Sequence, residues 1–255
     1  MSNTASLMAL AGFPLVRPGD DLAALVIAAL AKGNQRIVAG DVLVLAQKIV
    51  SKAEGRYVDL ARVEPSARAV TIARETDKDP RLVEIILGES RRVVRSSPGV
   101  LIVEHRLGFV MANAGVDRSN VDPAAGVEPV LLLPRDPDAS AAALREKLAA
   151  HFGEAPAVII SDSFGRAWRR GTVGIALGAA GLPSLMDLRG QPDLYGRALR
   201  VTETGFADEI AAAASLLMGQ GNEGMPAVLV RGLSWFAPAL PAAQLIRAAD
   251  QDLFR

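Results

Sequence analysis

Apolar residues fall into short runs separated by polar, glycine- or proline-bearing breaks, and the spacing within each run predicts an element. Leu22–Ala31 is apolar throughout, follows Gly19-Asp20-Asp21 and stops near Gly33, so it predicts a buried helix. Asp41–Val50 predicts a buried strand that turns polar at Gln47-Lys48. Residues 80–88 predict a helix with Asp79 as cap, Pro80 in the first turn and Gly88 as terminator. Gly99–Glu104 and Phe109–Ala112 predict two strands around a polar bend. The stretch "LLLPRDPDAS" (131–140) carries two prolines and alternating charges and is the candidate linker. Beyond it the pattern predicts a helix over Ala141–His151, a strand over Ala157–Ser161 and an alanine-rich helix over Phe206–Met218. A buried strand over Ala227–Arg231 and a C-terminal helix over Pro241–Leu253 complete the series. Strands and helices mix without the even alternation of a doubly wound sheet. The fold class is therefore α/β or α+β with a mixed sheet, read as one domain across residues 1–255, two lobes meeting near 134–140 being the alternative.

Composition narrows the chemistry. Lys plus Arg equals Asp plus Glu at 28 each. That balance argues against a nucleic-acid surface, which needs excess cations to displace counterions. The chain has no cysteine, so disulfides, thiolate metal sites and thiol nucleophiles are excluded, and a reducing cytoplasmic setting is expected. With only two histidines, His105 and His151, any metal must be held mainly by oxygen, which favours magnesium or manganese. His105 reads as a strand-end side chain and His151 as a last-turn residue. No basic segment precedes an apolar one at the N-terminus, and no apolar run is long enough to cross a membrane.

Four stretches carry candidate chemistry. No P-loop motif exists, and the chain has no Gly-Lys pair at all. One G-x-G-x-x-G runs from Gly219 to Gly224, but it follows a predicted helix and precedes a strand. A dinucleotide fingerprint needs the reverse order, so the site is neither P-loop nor Rossmann. A turn so poor in Cβ atoms can still wrap its amides around a phosphate. "ANAGVDRSNVD" (112–122) offers Asn113, Asp117, Ser119, Asn120 and Asp122, which are also ordinary turn formers. "SDSFGRAWRRGT" (161–172) places Asp162 and Ser163 just past a buried strand, ahead of Arg166, Arg169 and Arg170. Asp117 and Asp162 can supply the one or two carboxylates that a hard cation beside a phosphate takes. Alternatively, Asp162 pairs with those arginines on a solvated surface. "QKIVSKAEGR" (47–56) sets Lys48 and Lys52 on one face, where two ammoniums repel unless an anion lies between them.

Taken together and in order, "FPLV" (13–16), 47–56, 108–122, 161–178 and 193–232 resemble the coenzyme F-420-0:gamma-glutamyl ligase family over nearly the whole chain. The resemblance implies GTP-dependent addition of L-glutamate to coenzyme F-420-0, and then of a second glutamate through a gamma linkage. It also implies a divalent metal (magnesium or manganese), stimulation by potassium, and an intertwined homodimer of unusual α/β fold. By motif, the nucleotide falls to Phe13, Pro14, Leu15, Val16, Gln47, Lys48, Lys52, Asn120 and the turn Met218, Gly219, Gln220, Gly221, Asn222, Glu223, Gly224 and Met225. The implied metal ligands are Asp117, Asp162, Ser163 and Gln220. Gln220 is neutral, so this set carries one negative charge fewer than a three-carboxylate version. Some actinobacterial relatives have an additional C-terminal flavin-binding domain, for which no matching stretch is expected here. The rivals are a ligase or phosphotransferase with another acceptor, and a nucleotide-binding module without turnover.

Overall fold

The computed structural model describes residues 4–121 and 126–252, so Asp122 and Leu253 lie outside the described residues. In chain order the first elements are β1 (Ser6–Ala9), α1 (Leu22–Lys32), β2 (Val42–Ala46), α2 (Gln47–Ala53), β3 (Tyr57–Asp59), α3 (Ala67–Thr76), α4 (Pro80–Gly88), β4 (Ser90–Ser97), β5 (Val100–His105) and β6 (Val110–Ala112). They are followed by β7 (Pro129–Leu131), α5 (Pro137–Phe152), β8 (Ala157–Arg166), β9 (Arg169–Ala180), β10 (Met186–Asp187), β11 (Glu203–Thr204), α6 (Phe206–Met218) and β12 (Ala227–Arg231).

The main sheet has five strands in the order β1-β12-β2-β8-β9. It is mixed: β2 and β8 run parallel, while β1–β12, β12–β2 and β8–β9 are antiparallel. Strand β2 reads as an unbroken apolar run because both of its faces are covered. Leu43 and Leu45 face Val26 and Leu30 of α1 and Leu144 and Leu148 of α5. Val42 and Val44 face Ala207, Ile210, Ala211 and Ala214 of α6. Leu30 has no exposed surface, so Leu30→Ala is expected to cost about 2–5 kcal/mol. A second sheet, β4-β5-β6, packs Leu101 and Val103 against Ala69 and Ala73 of α3 and Val83 and Ile86 of α4. Two short ribbons, β3–β7 and β10–β11, and isolated bridges such as Asp117–Leu131 add to the pairing.

Helices α1, α4 and α6, the strand pair β5 and β6, and strand β12 stand where the pattern places them. Four stretches differ. The strand expected over Asp41–Val50 ends at Ala46, and α2 starts at once. Ile49 and Val50 are buried there in the core that holds Leu43 and Leu45, so packing outweighs their β-branched preference. The end of the expected linker is helical, since Asp136 accepts the Ala139 amide at 3.0 Å and Pro137 opens α5. Strand β8 continues past Ser161 to Arg166 and returns as β9, a hairpin with Trp168 exposed at its tip in the left-handed region (φ 63°). No helix forms over the described part of 241–253, only 3-10 turns at Ala242–Leu245 and Ala249–Gln251. The Asp138 carboxylate in the first turn of α5 accepts the Ala242 amide at 2.7 Å and the Ala243 amide at 3.2 Å, anchoring that segment as a turn. No helix among the described residues is long and apolar enough to cross a membrane.

Candidate functional site

The parallel strands β2 and β8 pair Ala46 with Ser161, and their carboxyl ends open onto one cavity of about 630 Å³. Ligands of α/β sheets bind outside such carboxyl ends, and cavities of roughly 300–1,000 Å³ suit them. Gln47, Lys48 and Lys52 reach the cavity from α2, and Asp162 and Ser163 from β8. Asp117 and Asn120 come from the loop after β6, and Phe13, Pro14, Leu15 and Val16 from the segment after β1. The turn after α6 adds Met218, Gly219, Gln220, Gly221, Asn222, Gly224 and Met225. Of the residues given to nucleotide or metal by motif, Glu223 alone is absent from the lining among the described residues; Asn113, Arg166, Arg169 and Arg170, also singled out in the sequence, do not line it either. A register shift opposite Ile160 and Ser161 marks a bulge in the hairpin beside Asp162, a common device for re-aiming side chains at a site.

The two aspartates sit in unlike electrostatic settings. Lys48 Nζ lies 2.7 Å from Asp117 Oδ2 and also donates to Ser119 Oγ at 2.8 Å. Asp117 accepts the Ser119 amide at 2.7 Å as well. Burial raises the Asp117 carboxyl, but Lys48 and Ser119 outweigh it and hold the group below its ordinary range. Asp162 has no ion-pair partner among the described residues. Burial, reinforced by the nearby Asp117 charge, pushes its carboxyl up to about 6, against the Ser163 amide, Lys48 and the Gln47 side chain. The pairing of Asp162 with the hairpin arginines does not occur among the described residues. Arg166 instead donates to the carbonyls of Gly171 and Arg170 at the tip, where Arg169 and Arg170 are exposed.

The glycine turn closes on itself. Gly219 ends α6 at φ 71°, and a Cβ there would lie 2.1–2.5 Å from the Glu223 carboxyl atoms. Glu223 Oε2 accepts the Gly221 amide at 2.8 Å, so the turn's amides already hold one carboxylate. Its own amide, then those of Gly221 and Gln220, keep the Glu223 carboxyl below its ordinary range. Asn120 Nδ2 donates to Gly221 O at 3.1 Å and ties the 117–121 loop to this turn.

The donor chemistry fits a hard divalent cation. Two carboxylates, a hydroxyl and a neutral amide leave room for substrate oxygens, the pattern of magnesium next to phosphate. No group of three or more His, Asp or Glu residues that could hold a metal forms among the described residues. His105 stands at the end of β5, fully buried, with Nδ1 accepting the Leu107 amide at 3.0 Å, and His151 lies in the last turn of α5. Sequence reasoning passed over Ser215, which lines the cavity, and Ser51, which contacts Gln47. Ser51 lies within the 47–56 stretch, where the two lysines drew the reading, and Ser215 lies in the alanine-rich helix, whose composition reads as core.

Comparison with known proteins decides the family. The family model described as F420-0:Gamma-glutamyl ligase matches residues 12–232. The chain is 48% identical over 252 residues to the Coenzyme F420:L-glutamate ligase of Methanothermobacter thermautotrophicus, covering 98% of each chain. It is 47% identical over 244 residues to the protein of the same name from Methanopyrus kandleri, covering 94% of this chain and 93% of that one. The Archaeoglobus fulgidus protein of that name is 43% identical over 244 residues, 96% of this chain and 94% of its own. This chain belongs to the F420-0:gamma-glutamyl ligase family. Every segment that lines the cavity lies inside the span matched by the ligase family model. In this F420-0:gamma-glutamyl ligase family member the cavity draws on loops more than one hundred residues apart, as the 3.1 Å contact between Asn120 and Gly221 shows directly.

Proposed function

We propose that this chain is a GTP-dependent ligase of F-420 biosynthesis. It adds L-glutamate to coenzyme F-420-0, and then a second glutamate through a gamma linkage, by way of an acyl phosphate. Family membership and the names of the relatives support the ligation of glutamate. The observation that carries the nucleotide and metal reading is the convergence of Lys48, Lys52, Asp117, Asp162 and the glycine turn on one cavity.

A carboxylate does not react with an amine at neutral pH because its leaving group is oxide. In the proposed first step a carboxylate oxygen of F-420-0 bonds to the γ-phosphorus of GTP, and the bond to the bridging oxygen breaks, releasing GDP. The glutamate nitrogen then bonds to the acyl carbon, the carbon–oxygen bond to phosphate breaks, and the amine proton leaves to solvent. Lys48 and Lys52 offset triphosphate charge, and the glycine turn offers amides to a phosphate. Asp117 and Asp162, with Ser163 and Gln220, hold magnesium or manganese, which when bound screens the phosphate oxygens. For Lys48 to serve the triphosphate it must exchange its 2.7 Å contact with Asp117 for one with phosphate. One or two of Arg166, Arg169 and Arg170 receive a carboxylate of glutamate or of the growing tail, for which the guanidinium fork is suited. Potassium stimulation and a homodimer complete the proposal.

Incubation of the purified chain with GTP, manganese, glutamate and F-420-0, read by mass spectrometry, tests this. A product heavier by glutamyl units with GDP release supports it. GDP release with a different acid only, or nucleotide binding without turnover, overturns it.

A further inference from the structure

The cavity offers two carboxylates to a cation, and they are not equally available. Asp162 Oδ1 accepts the Ser163 amide at 2.8 Å, and no ammonium or guanidinium lies against Asp162 among the described residues. Asp117 is engaged at both oxygens. Its Oδ1 accepts the Ser119 amide at 2.7 Å, and its Oδ2 takes the Ser119 hydroxyl at 3.0 Å and Lys48 Nζ at 2.7 Å. Lys48 Nζ also donates to Ser119 O at 3.1 Å and to Ser119 Oγ at 2.8 Å. The ammonium is thus held by oxygens alone, the donor type that a hard cation takes. Asp117 does not depend on Lys48 for its place. Its amide donates to Leu131 O at 3.0 Å, and its carbonyl accepts the Leu131 amide at 2.9 Å. Asn120 ties the same loop to the glycine turn. Lys48 hangs on a flexible four-carbon stem from α2, half-buried and on the cavity wall. The ammonium can leave while the carboxylate stays.

We propose that Lys48 is a tethered competitor of the divalent cation at Asp117, drawn off by nucleotide phosphates, so that nucleotide and metal bind cooperatively. An ion and an ammonium on one carboxylate repel each other at close range. A metal arriving alone must therefore break the Lys48–Asp117 pair or settle for Asp162. A nucleotide arriving first gives Lys48 a phosphate oxygen as partner and frees Asp117 Oδ2 for the ion. By linkage the metal must raise nucleotide affinity by the same factor, because an ion on Asp117 releases Lys48 to the phosphates. Lys48 thereby has a task beyond offsetting triphosphate charge. The inference rests on the nucleotide and cation assignment made under the proposed function.

The test is a manganese titration of the full chain with and without saturating GDP, followed by the paramagnetic resonance of free manganese. It is run in about 0.5 M tetramethylammonium chloride, where repulsion across more than about 5 Å is screened and a contact pair is screened less. Lys48→Met keeps the stem and removes the charge. Without GDP, it is expected to bind manganese about fivefold or more tighter than wild type. The tightening that GDP brings is expected to be smaller in Lys48→Met than in wild type by about the same factor. Manganese affinity in nucleotide-free Lys48→Met equal to or weaker than wild type overturns the inference, as does a GDP effect of undiminished size in that variant. Either result leaves the cation assignment standing. A wild-type chain that binds no manganese even with GDP overturns that assignment, and this inference with it.

Discussion

Two of the charge clusters among the described residues are built in opposite ways. Glu89 is nearly buried and is met by Arg56 at 2.9 Å and Arg106 at 2.7 Å, with His105 Nε2 at 3.6 Å. Burial raises the Glu89 carboxyl, but His105, Arg106 and Arg56 together outweigh it and hold the group below its ordinary range. Arg56 further donates to Leu133 O at 2.9 Å, binding the cluster to the chain ahead of α5. In the cavity the balance is reversed. Asp117 and Lys48 satisfy each other, and Asp162 stands behind them with its carboxyl at about 6. A cluster that serves only the fold supplies cations for its carboxylate. One that serves a ligand leaves a carboxylate short of a cation, which is where perturbed groups point to function.

Removing the under-compensated carboxylate gives the largest effect. Asp162→Ala is expected to lower ligase turnover by about 10³-fold, roughly 4 kcal/mol of transition-state stabilisation. It should also abolish the stabilisation by GDP and manganese in thermal melting. Turnover within tenfold of wild type would remove Asp162 from the site.

Removing the satisfied carboxylate acts on stability instead. Glu89→Ala leaves the largely buried Arg56 guanidinium without a carboxylate partner and is expected to cost about 3 kcal/mol in urea unfolding. A loss below about 1 kcal/mol would show that the two clusters do not differ as argued.

The two carboxylates also pull the acid profile in opposite directions. Glu89 is depressed in the folded state, so its contribution is present above its unfolded pKa and is lost as pH falls through the folded value. Asp162 is raised, so its contribution is fully present below the unfolded value, near 3.8, and is lost as pH rises to about 6. Asp162→Asn is therefore expected to stabilise the metal-free protein by about 1–3 kcal/mol at pH 7, with the gain vanishing below about pH 4. Urea unfolding with a chelator at the two pH values measures it, and an equal effect at both contradicts the assignment.

Glu223 gives the smallest effect. Its exposed carboxylate occupies amides proposed for phosphate, so Glu223→Gln replaces a charged acceptor with a weaker neutral one. GTP affinity by calorimetry should tighten by roughly threefold. Weaker binding would mean that Glu223 contacts the nucleotide favourably rather than competing with it.

Much of the cavity was legible in the sequence because its loops are dense in side chains of one chemical purpose. Asp117, Ser119 and Asn120 stand together, as do Asp162 and Ser163, and Gly219 through Gly224 announce a turn by composition. The hairpin of β8 and β9 was not legible. Its tip is charged and its return strand contains Gly171, Gly174 and Gly178, which read as breaks. A Cβ at Gly174 would meet Ala211 O at 2.4 Å and one at Gly178 would meet Pro137 O at 2.2 Å. Those glycines therefore serve close packing on α6 and α5, a property of the assembled layers. The helix at Gln47 was hidden by the β-branched Ile49 and Val50, whose placement is decided by the core they enter.

The most direct measurement is the proton count on manganese binding, by calorimetry at pH 5.5 in two buffers of different ionisation enthalpy. With the Asp162 carboxyl at about 6, each ion bound is expected to release a large fraction of one proton, and none in Asp162→Asn. Binding without proton release, or the same release in Asp162→Asn, would contradict it.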